Sequence, residues 1–293
     1  MNIVIIYAVI TLSVIGLLAA VILFFIAQKF KVIEDPRIDE VAALLPGANC
    51  GGCGFAGCRN LAENIVKKES IDGYFCPPGG NATMNTIATV FGQVAEEKAP
   101  KIAVVRCNGT KTNAKDKTVY DGLNSCYFIH SLYSGTNGCP YGCLGGGDCV
   151  ESCQFDAMYM DKETGLPVII QDKCIACGAC VKACPRGIIE LRNKGKKDRR
   201  IFVSCINKEK GAVAKKNCEV ACIGCGKCVK ECKFEAITME NNLAYINFEK
   251  CTLCRKCVES CPTGAIWEVN FPERKKKEAD APAAEVATNK NGG

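Results

Sequence analysis

Two polarity patterns divide this chain. From Ile3 to Ala27 there is no charged residue, and only Thr11 and Ser13 are clearly polar. As a helix this run would be about 37 Å long at 1.5 Å per residue, enough to cross a bilayer with some tilt. No basic residue precedes it, it exceeds the apolar segment of a secretory signal, and no small-residue cleavage site follows. The pattern predicts a single-pass membrane anchor over residues 1–30. Lys29, Lys31 and Arg37 flank its C-terminal end. The positive-inside rule then puts the N-terminus outside and the bulk of the chain on the cytoplasmic side of the cytoplasmic (inner) membrane.

Beyond the anchor the apolar runs shorten. Leu61 to Glu69 reads as a helix. Ala236-Ile-Thr-Met and Leu243-Ala-Tyr-Ile read as two short strands, and Ile102-Ala-Val-Val and Ile201-Phe-Val as two more. The last two open an internal repeat. Each leads into a cysteine, Cys107 or Cys205, and then to a Cys-x3-Cys pair, Cys139/Cys143 or Cys218/Cys222. From Pro272 onward there is no apolar periodicity, which predicts a disordered tail. The expected organisation is an anchor (1–30), a small Cys-rich domain (31–100), two repeat modules (101–200 and 201–271) and a tail (272–293), of α+β class.

Composition changes the picture through one residue type. There are 24 Cys in 293 residues and a single histidine, His130, so sites rich in His are excluded. A cytoplasmic location argues against structural disulfides and leaves metal ligation as the role of the cysteines. The formal charge of +6 counts every Cys as a neutral thiol, whereas a metal-bound Cys is deprotonated. A four-iron cluster on four thiolates carries about −2, so five or six of them would leave the protein at about −4 to −6. The basic balance therefore does not argue for a nucleic-acid partner.

The cysteines fall into runs. Cys50-x2-Cys53-x4-Cys58 is closed by Cys76, with glycines that let the backbone wrap a bulky centre. This suggests one 4Fe-4S cluster, with a four-cysteine zinc site as the alternative. The embedded Gly52-x-Gly54-x-x-Gly57 matches a dinucleotide fingerprint formally, but no β-branched strand precedes it. Toward the C-terminus, Cys222-x2-Cys225-x2-Cys228-x3-Cys232 and Cys251-x2-Cys254-x2-Cys257-x3-Cys261-Pro262 form the bacterial ferredoxin run twice. In that pattern the fourth Cys serves the other cluster. The expected sets are Cys222, Cys225, Cys228 and Cys261, and Cys232, Cys251, Cys254 and Cys257.

A second such module lies upstream. Cys174-x2-Cys177-x2-Cys180-x3-Cys184-Pro185 is complete, and Cys153 fits as the crossed ligand of Cys174, Cys177 and Cys180. Its partner run has Gly146 where the pattern wants Cys, leaving Cys143, Cys149 and Cys184 one ligand short. Cys139 is nearest in sequence and the first choice, Cys126 the second; a three-iron or site-differentiated cluster is the alternative. With Cys139 so used, Cys107, Cys126, Cys205 and Cys218 remain, as a sixth cluster or as buried free thiols.

Other residues read as structural. His130, in an apolar stretch, and Trp267 read as packing residues. Lys194, Lys196, Lys197, Arg199 and Arg200 read as a solvated linker that could steer an acidic redox partner. No phosphate loop, nucleophile elbow, or flavin or nicotinamide motif is present, so no catalytic residue is assigned and no flavin or NAD is expected on this chain.

An anchor, the motif Leu45-Pro46-Gly-Ala-Asn-Cys50-Gly-Gly-Cys53-Gly and ferredoxin runs ending at Cys261-Pro-Thr-Gly264 occur together. With them the sequence resembles the RnfB family of the Rnf ion-translocating electron transport complex, in a long form with two ferredoxin modules. The resemblance implies an iron–sulfur subunit of a ferredoxin:NAD oxidoreductase in the membrane, coupled to Na+ or H+ translocation. It also implies soluble ferredoxin as donor or acceptor, and other Rnf subunits as partners carrying flavin and nicotinamide sites. The other readings are a polyferredoxin subunit of a different membrane oxidoreductase and a zinc-binding cytoplasmic scaffold.

Overall fold

The computed structural model describes residues 3–29, 34–132 and 135–273. The tail from residue 274 onward, for which disorder is expected, lies outside them. The chain divides into two compact units, Met1–Lys98 and Ala99–Gly293.

The first unit is helical. Helix α1 (Ile3–Lys29) leaves large apolar side chains exposed on all sides, Leu12, Leu17 and Leu23 among them, and its apolar window is 0 % buried. A helix that is apolar all round and uncovered by its own protein matches lipid as its surroundings. Helices α2 (Arg37–Leu44), α3 (Cys58–Lys68) and α4 (Gly80–Val90) enclose a core of Val41, Leu61, Ile65 and Ile87. Helix α3 begins three residues before the expected Leu61. The Asn49 side chain accepts the Cys58 N–H at 2.8 Å and satisfies one donor of the first turn. It stops before Glu69, whose backbone is left-handed (φ 49°).

The second unit holds two copies of one plan. The first comprises β1 (Lys101–Val105), α5 (Cys126–Leu132), α6 (Asp148–Glu151), β2 (Met158–Met160), β3 (Pro167–Ile169), α7 (Ala179–Ala183) and β4 (Ile189–Asn193). The second comprises β5 (Arg200–Val203), α8 (Gly211–Asn217), α9 (Lys227–Glu231), β6 (Ile237–Glu240), β7 (Leu243–Ile246), α10 (Lys256–Ser260) and β8 (Ile266–Val269). In each copy the opening strand pairs antiparallel with the closing one, β1 with β4 and β5 with β8. The two middle strands form a hairpin, β2 with β3 and β6 with β7. Each copy has its own core, small in both cases. Met158, Leu166, Ile188 and Ile189 pack with Cys149 and Cys180 in the first, and Val203, Ile237, Ile246 and Ile266 pack with Cys228 and Cys257 in the second.

The basic stretch between the copies is not uniformly a solvated linker. Lys196 and Lys197 are exposed on a one-turn 3-10 helix (Lys196–Asp198), but Arg200 is buried in β5 and Arg199 lies over the Phe271 ring at 5.4 Å. Two further arginines hold the copies together. Arg192, 1 % exposed in β4, stacks on Phe202, Tyr245 and Phe248 of the second copy, 5.2–5.8 Å from their ring centres. Arg106 ion-pairs with Glu190 at 3.2 Å and donates to the Val203 and Cys205 carbonyls across the boundary, both at 3.3 Å. Trp267 differs in part from the expectation of a packing residue: its ring stands 6.4 Å from that of Phe202, its register partner, but it is 38 % exposed. His130 differs from the expectation of a packed histidine: it is exposed on α5, whose buried residues are Cys126 and Ile129.

Candidate metal centres

None of the 24 cysteines is in a disulfide. They sort into six groups of four. Cys50, Cys53, Cys58 and Cys76 line one cavity of about 290 Å³, part of it open to solvent, with Pro46, Pro77 and Leu61 in its wall. Burial pushes the Cys76 thiol up, and the negative charge of Cys58, Cys53 and Cys50 adds to the shift. The glycine spacing here serves the cysteines, as expected. Gly51 and Gly54 take left-handed backbone (φ 66° and 89°), which only glycine adopts without strain.

In the second copy, Cys222, Cys225, Cys228 and Cys261 line a cavity of about 330 Å³, and Cys232, Cys251, Cys254 and Cys257 one of about 320 Å³. The fourth Cys of each run thus crosses to the other group, because the short helices α9 and α10 turn it away from its own run. Burial raises the Cys228 thiol to about 11 and Cys257 to about 12, with the neighbouring thiolates adding to both. Four such thiols so close together are costly unless a cation takes the place of their protons. In the first copy, Cys180 is raised to about 12 by burial and by Cys174, Cys177 and Cys153. That gathers the third expected set. The Cys153 sulfur accepts the Ala157 N–H at 3.4 Å.

The altered run departs from the first-choice expectation. The cavity of Cys143, Cys149 and Cys184 is completed by Cys126, not by Cys139. Gly146 explains the exchange. A Cβ on Gly146 would lie 2.5 Å from the Cys126 nitrogen and 3.1 Å from its sulfur. The Cys126 loop therefore occupies the space that a side chain on Gly146 would fill, and delivers its thiol to the same place. Asp148, directly before Cys149, holds that loop. Its carboxylate accepts the Cys126 N–H at 2.7 Å, the Tyr127 N–H at 3.0 Å and the Ser125 hydroxyl at 3.0 Å. These bonds are charge-assisted, and together they outweigh the cost of burying the carboxylate and hold Asp148 below the usual range. Sequence reasoning missed Asp148; the one available signal was an acidic residue inside a Cys- and Gly-rich loop.

Cys139 sits instead with Cys107, Cys205 and Cys218, lining a cavity of about 370 Å³ together with Asn137, Ser204 and Asn207. The four residues left over by the sequence expectation are therefore not one group, because Cys126 and Cys139 exchange places.

Among the described residues no three Cys, His, Asp or Glu side chains converge closely enough to hold a metal ion. Where a cavity is described, its four thiols are spread around it, which suits a polynuclear centre rather than one zinc ion. The donors fit: thiolates, with backbone N–H groups directed at sulfur, are the usual surroundings of iron–sulfur clusters.

Residues 221–266 and 142–188 each match a 4Fe-4S dicluster domain family, and residues 45–78 match an Fe-S cluster family. The chain is 44 % identical over 256 residues to the B subunit of the Na(+)-translocating ferredoxin:NAD(+) oxidoreductase complex of Acetobacterium woodii, covering 87 % of this chain and 75 % of that one. It is 40 % identical over 278 residues to the proton-translocating counterpart of Clostridium ljungdahlii, covering 93 % and 96 %. A third relative, the B subunit of the ion-translocating oxidoreductase complex of Methanosarcina acetivorans, is 41 % identical over 266 residues, covering 91 % and 99 %.

Proposed function

Since the chain belongs to the RnfB family, the B subunits of ion-translocating ferredoxin:NAD(+) oxidoreductase (Rnf) complexes, we propose that it exchanges electrons with a soluble ferredoxin and relays them to partner subunits in the membrane. It is an iron–sulfur electron-transfer subunit of such a complex, and associates with the membrane. The observation that carries the relay is the sorting of the cysteines into groups of four, with none paired in a disulfide. Five groups would hold 4Fe-4S clusters: Cys50, Cys53, Cys58 and Cys76; Cys126, Cys143, Cys149 and Cys184; Cys153, Cys174, Cys177 and Cys180; Cys222, Cys225, Cys228 and Cys261; Cys232, Cys251, Cys254 and Cys257.

A bound cluster supplies a one-electron couple. The chain's own residues do the rest. Its thiolates would fix the clusters in place, its small apolar cores cover the inner side of each site while Cys225 and Cys254 stay exposed, and its N–H groups would stabilise negative charge on sulfur. Helix α1 would hold the chain at the membrane with its N-terminus outside, as the flanking Lys29 supports. Flavin and nicotinamide chemistry, and ion movement, belong to the partner subunits in this reading. Relatives named for Na+ and for protons are 44 % and 40 % identical to this chain, which is the expected pattern if the coupling ion is chosen elsewhere.

The test is anaerobic titration of the purified full chain with reduced ferredoxin, followed in the visible spectrum. Bleaching of the cluster absorbance in proportion to ferredoxin added is the expected result. An iron-loaded chain that ferredoxin leaves oxidised, while dithionite reduces it, would overturn the assignment of the partner.

A further inference from the structure

We propose that Cys107, Cys139, Cys205 and Cys218 form a sixth cluster site, for a 4Fe-4S centre, on the boundary between the two repeats. The three matched family segments, residues 45–78, 142–188 and 221–266, contain none of these four residues.

The site is built from equivalent parts of the two copies. Cys107 and Cys205 each follow the opening strand of a copy, β1 or β5; Cys139 and Cys218 each stand four residues before the first ferredoxin ligand, Cys143 or Cys222. Each copy thus contributes two thiols, and neither can complete the site alone. An isolated antiparallel bridge between Ala114 and Cys218 brings the loop after Cys107 across to the second copy. A Cβ on Gly109 would lie 3.5 Å from the Cys107 sulfur and 3.9 Å from that of Cys218, so the two sulfurs flank one small space.

The lining is prepared for something that accepts hydrogen bonds. The Cys139 sulfur accepts from the Asn207 side-chain amide at 3.4 Å, Cys205 from the Asn207 N–H at 3.4 Å, and Cys107 from the Cys143 N–H at 3.4 Å. Ser204, 2 % exposed, lines the same cavity, and its hydroxyl meets no partner among the described residues. A buried hydroxyl without a partner is destabilising, and a cluster sulfide would supply one. All four thiols are buried, 7–8 % exposed. Structural thiols usually lie among apolar neighbours, whereas these share a cavity with Asn137, Ser204 and Asn207. Arg106, next to Cys107, grips the carbonyls of Val203 and Cys205 and so sets the distance between the two halves; it is a positioning residue.

The location gives the site its role, which rests on the relay proposed above. The Cys107 sulfur accepts from the backbone of Cys143, a ligand residue of the first copy, at 3.4 Å, and Cys218 stands four residues before Cys222, its equivalent in the second. The site is therefore one hydrogen bond from a ligand residue of the first copy and one short stretch of chain from a ligand residue of the second. It would join the cluster pair of one copy to the pair of the other.

The experiment counts iron and acid-labile sulfide on the anaerobically purified full chain and on the Cys107→Ala/Cys205→Ala variant, with native mass spectrometry of both. Six sites predict about 24 iron and 24 sulfide per wild-type chain and about 20 of each in the variant, at four iron per cluster. Adding Cys126→Ala should remove about four more, since it belongs to a different group. A wild-type chain holding about 20 iron, with Cys107, Cys139, Cys205 and Cys218 alkylated once the folded protein is opened by denaturant and no cluster lost in the variant, would overturn the proposal. If the variant does not fold, the wild-type mass decides alone, six clusters against five. None of these readings uses ferredoxin, so failure of the donor assignment leaves them standing.

Discussion

The two copies in the second unit reach the same four-thiol geometry by different means. In the second copy each cavity is lined by three thiols of a local run and one that crosses from the neighbouring run. In the first copy the position of one local thiol is taken by Gly146, and Cys126 reaches it from twenty residues upstream in the chain. A ferredoxin run thus specifies positions in space rather than the residues that must fill them. The replacement works because the missing side chain leaves a space, and a loop tied down by one carboxylate fills it.

The comparison is broken most severely by removing a local ligand. Cys257→Ala should cost the second copy about four iron and much of its stability, since Cys257 is also a buried core residue; the checks are iron content and thermal unfolding of the full chain. Cys126→Ala should cost the first copy a similar amount of iron, or leave a three-iron centre with a distinct EPR signal in the oxidised state. Retention of every iron in that variant would restore Cys139 as the ligand.

Gly146→Ala changes no ligand, yet should also lose the cluster of Cys143, Cys149 and Cys184. The added methyl would stand 2.5 Å from the Cys126 backbone nitrogen, and backbone must move to relieve it. An unchanged iron count would mean that the Cys126 loop is not held there. A smaller effect is expected from Asp148→Ala, which leaves every ligand but removes three hydrogen bonds. Bonds to a charged acceptor are worth about 1.5–3 kcal/mol each when buried and less at this half-exposed loop. Iron release from one cluster to a chelator should become several-fold faster, the others keeping the wild-type rate. The smallest effect belongs to Arg255→Gln, which breaks the two-bonded ion pair with Glu268 in the second copy. A small loss of stability is expected, because solvent screens the pair, read as a slightly lower denaturant midpoint with iron content unchanged.

Much of the plan was legible in the chain. The apolar run of α1, the strands before Cys107 and Cys205, the β6–β7 hairpin and the crossed ligands of the complete runs all follow from local pattern. Spacing carries this information because consecutive ligands of one run sit on a single loop and short helix, where sequence separation fixes distance. Arg199 and Arg200 show the limit of the same reasoning. A basic stretch reads as solvated from composition, but Arg200 is buried in β5 and Arg199 lies over the Phe271 ring, 72 residues away in the chain.

Residue spacing is enough to show that the cysteines come in ferredoxin runs behind an apolar helix, and that one run lacks a ligand. Which distant thiol lines that cavity, and that Cys139 instead joins Cys107, Cys205 and Cys218, follows from the packing. Nearness in sequence favoured Cys139, but a ligand is chosen by where its sulfur stands. That depends on the Asp148 carboxylate, on the open space at Gly146 and on the packing of one repeat against the other, none of which local spacing encodes.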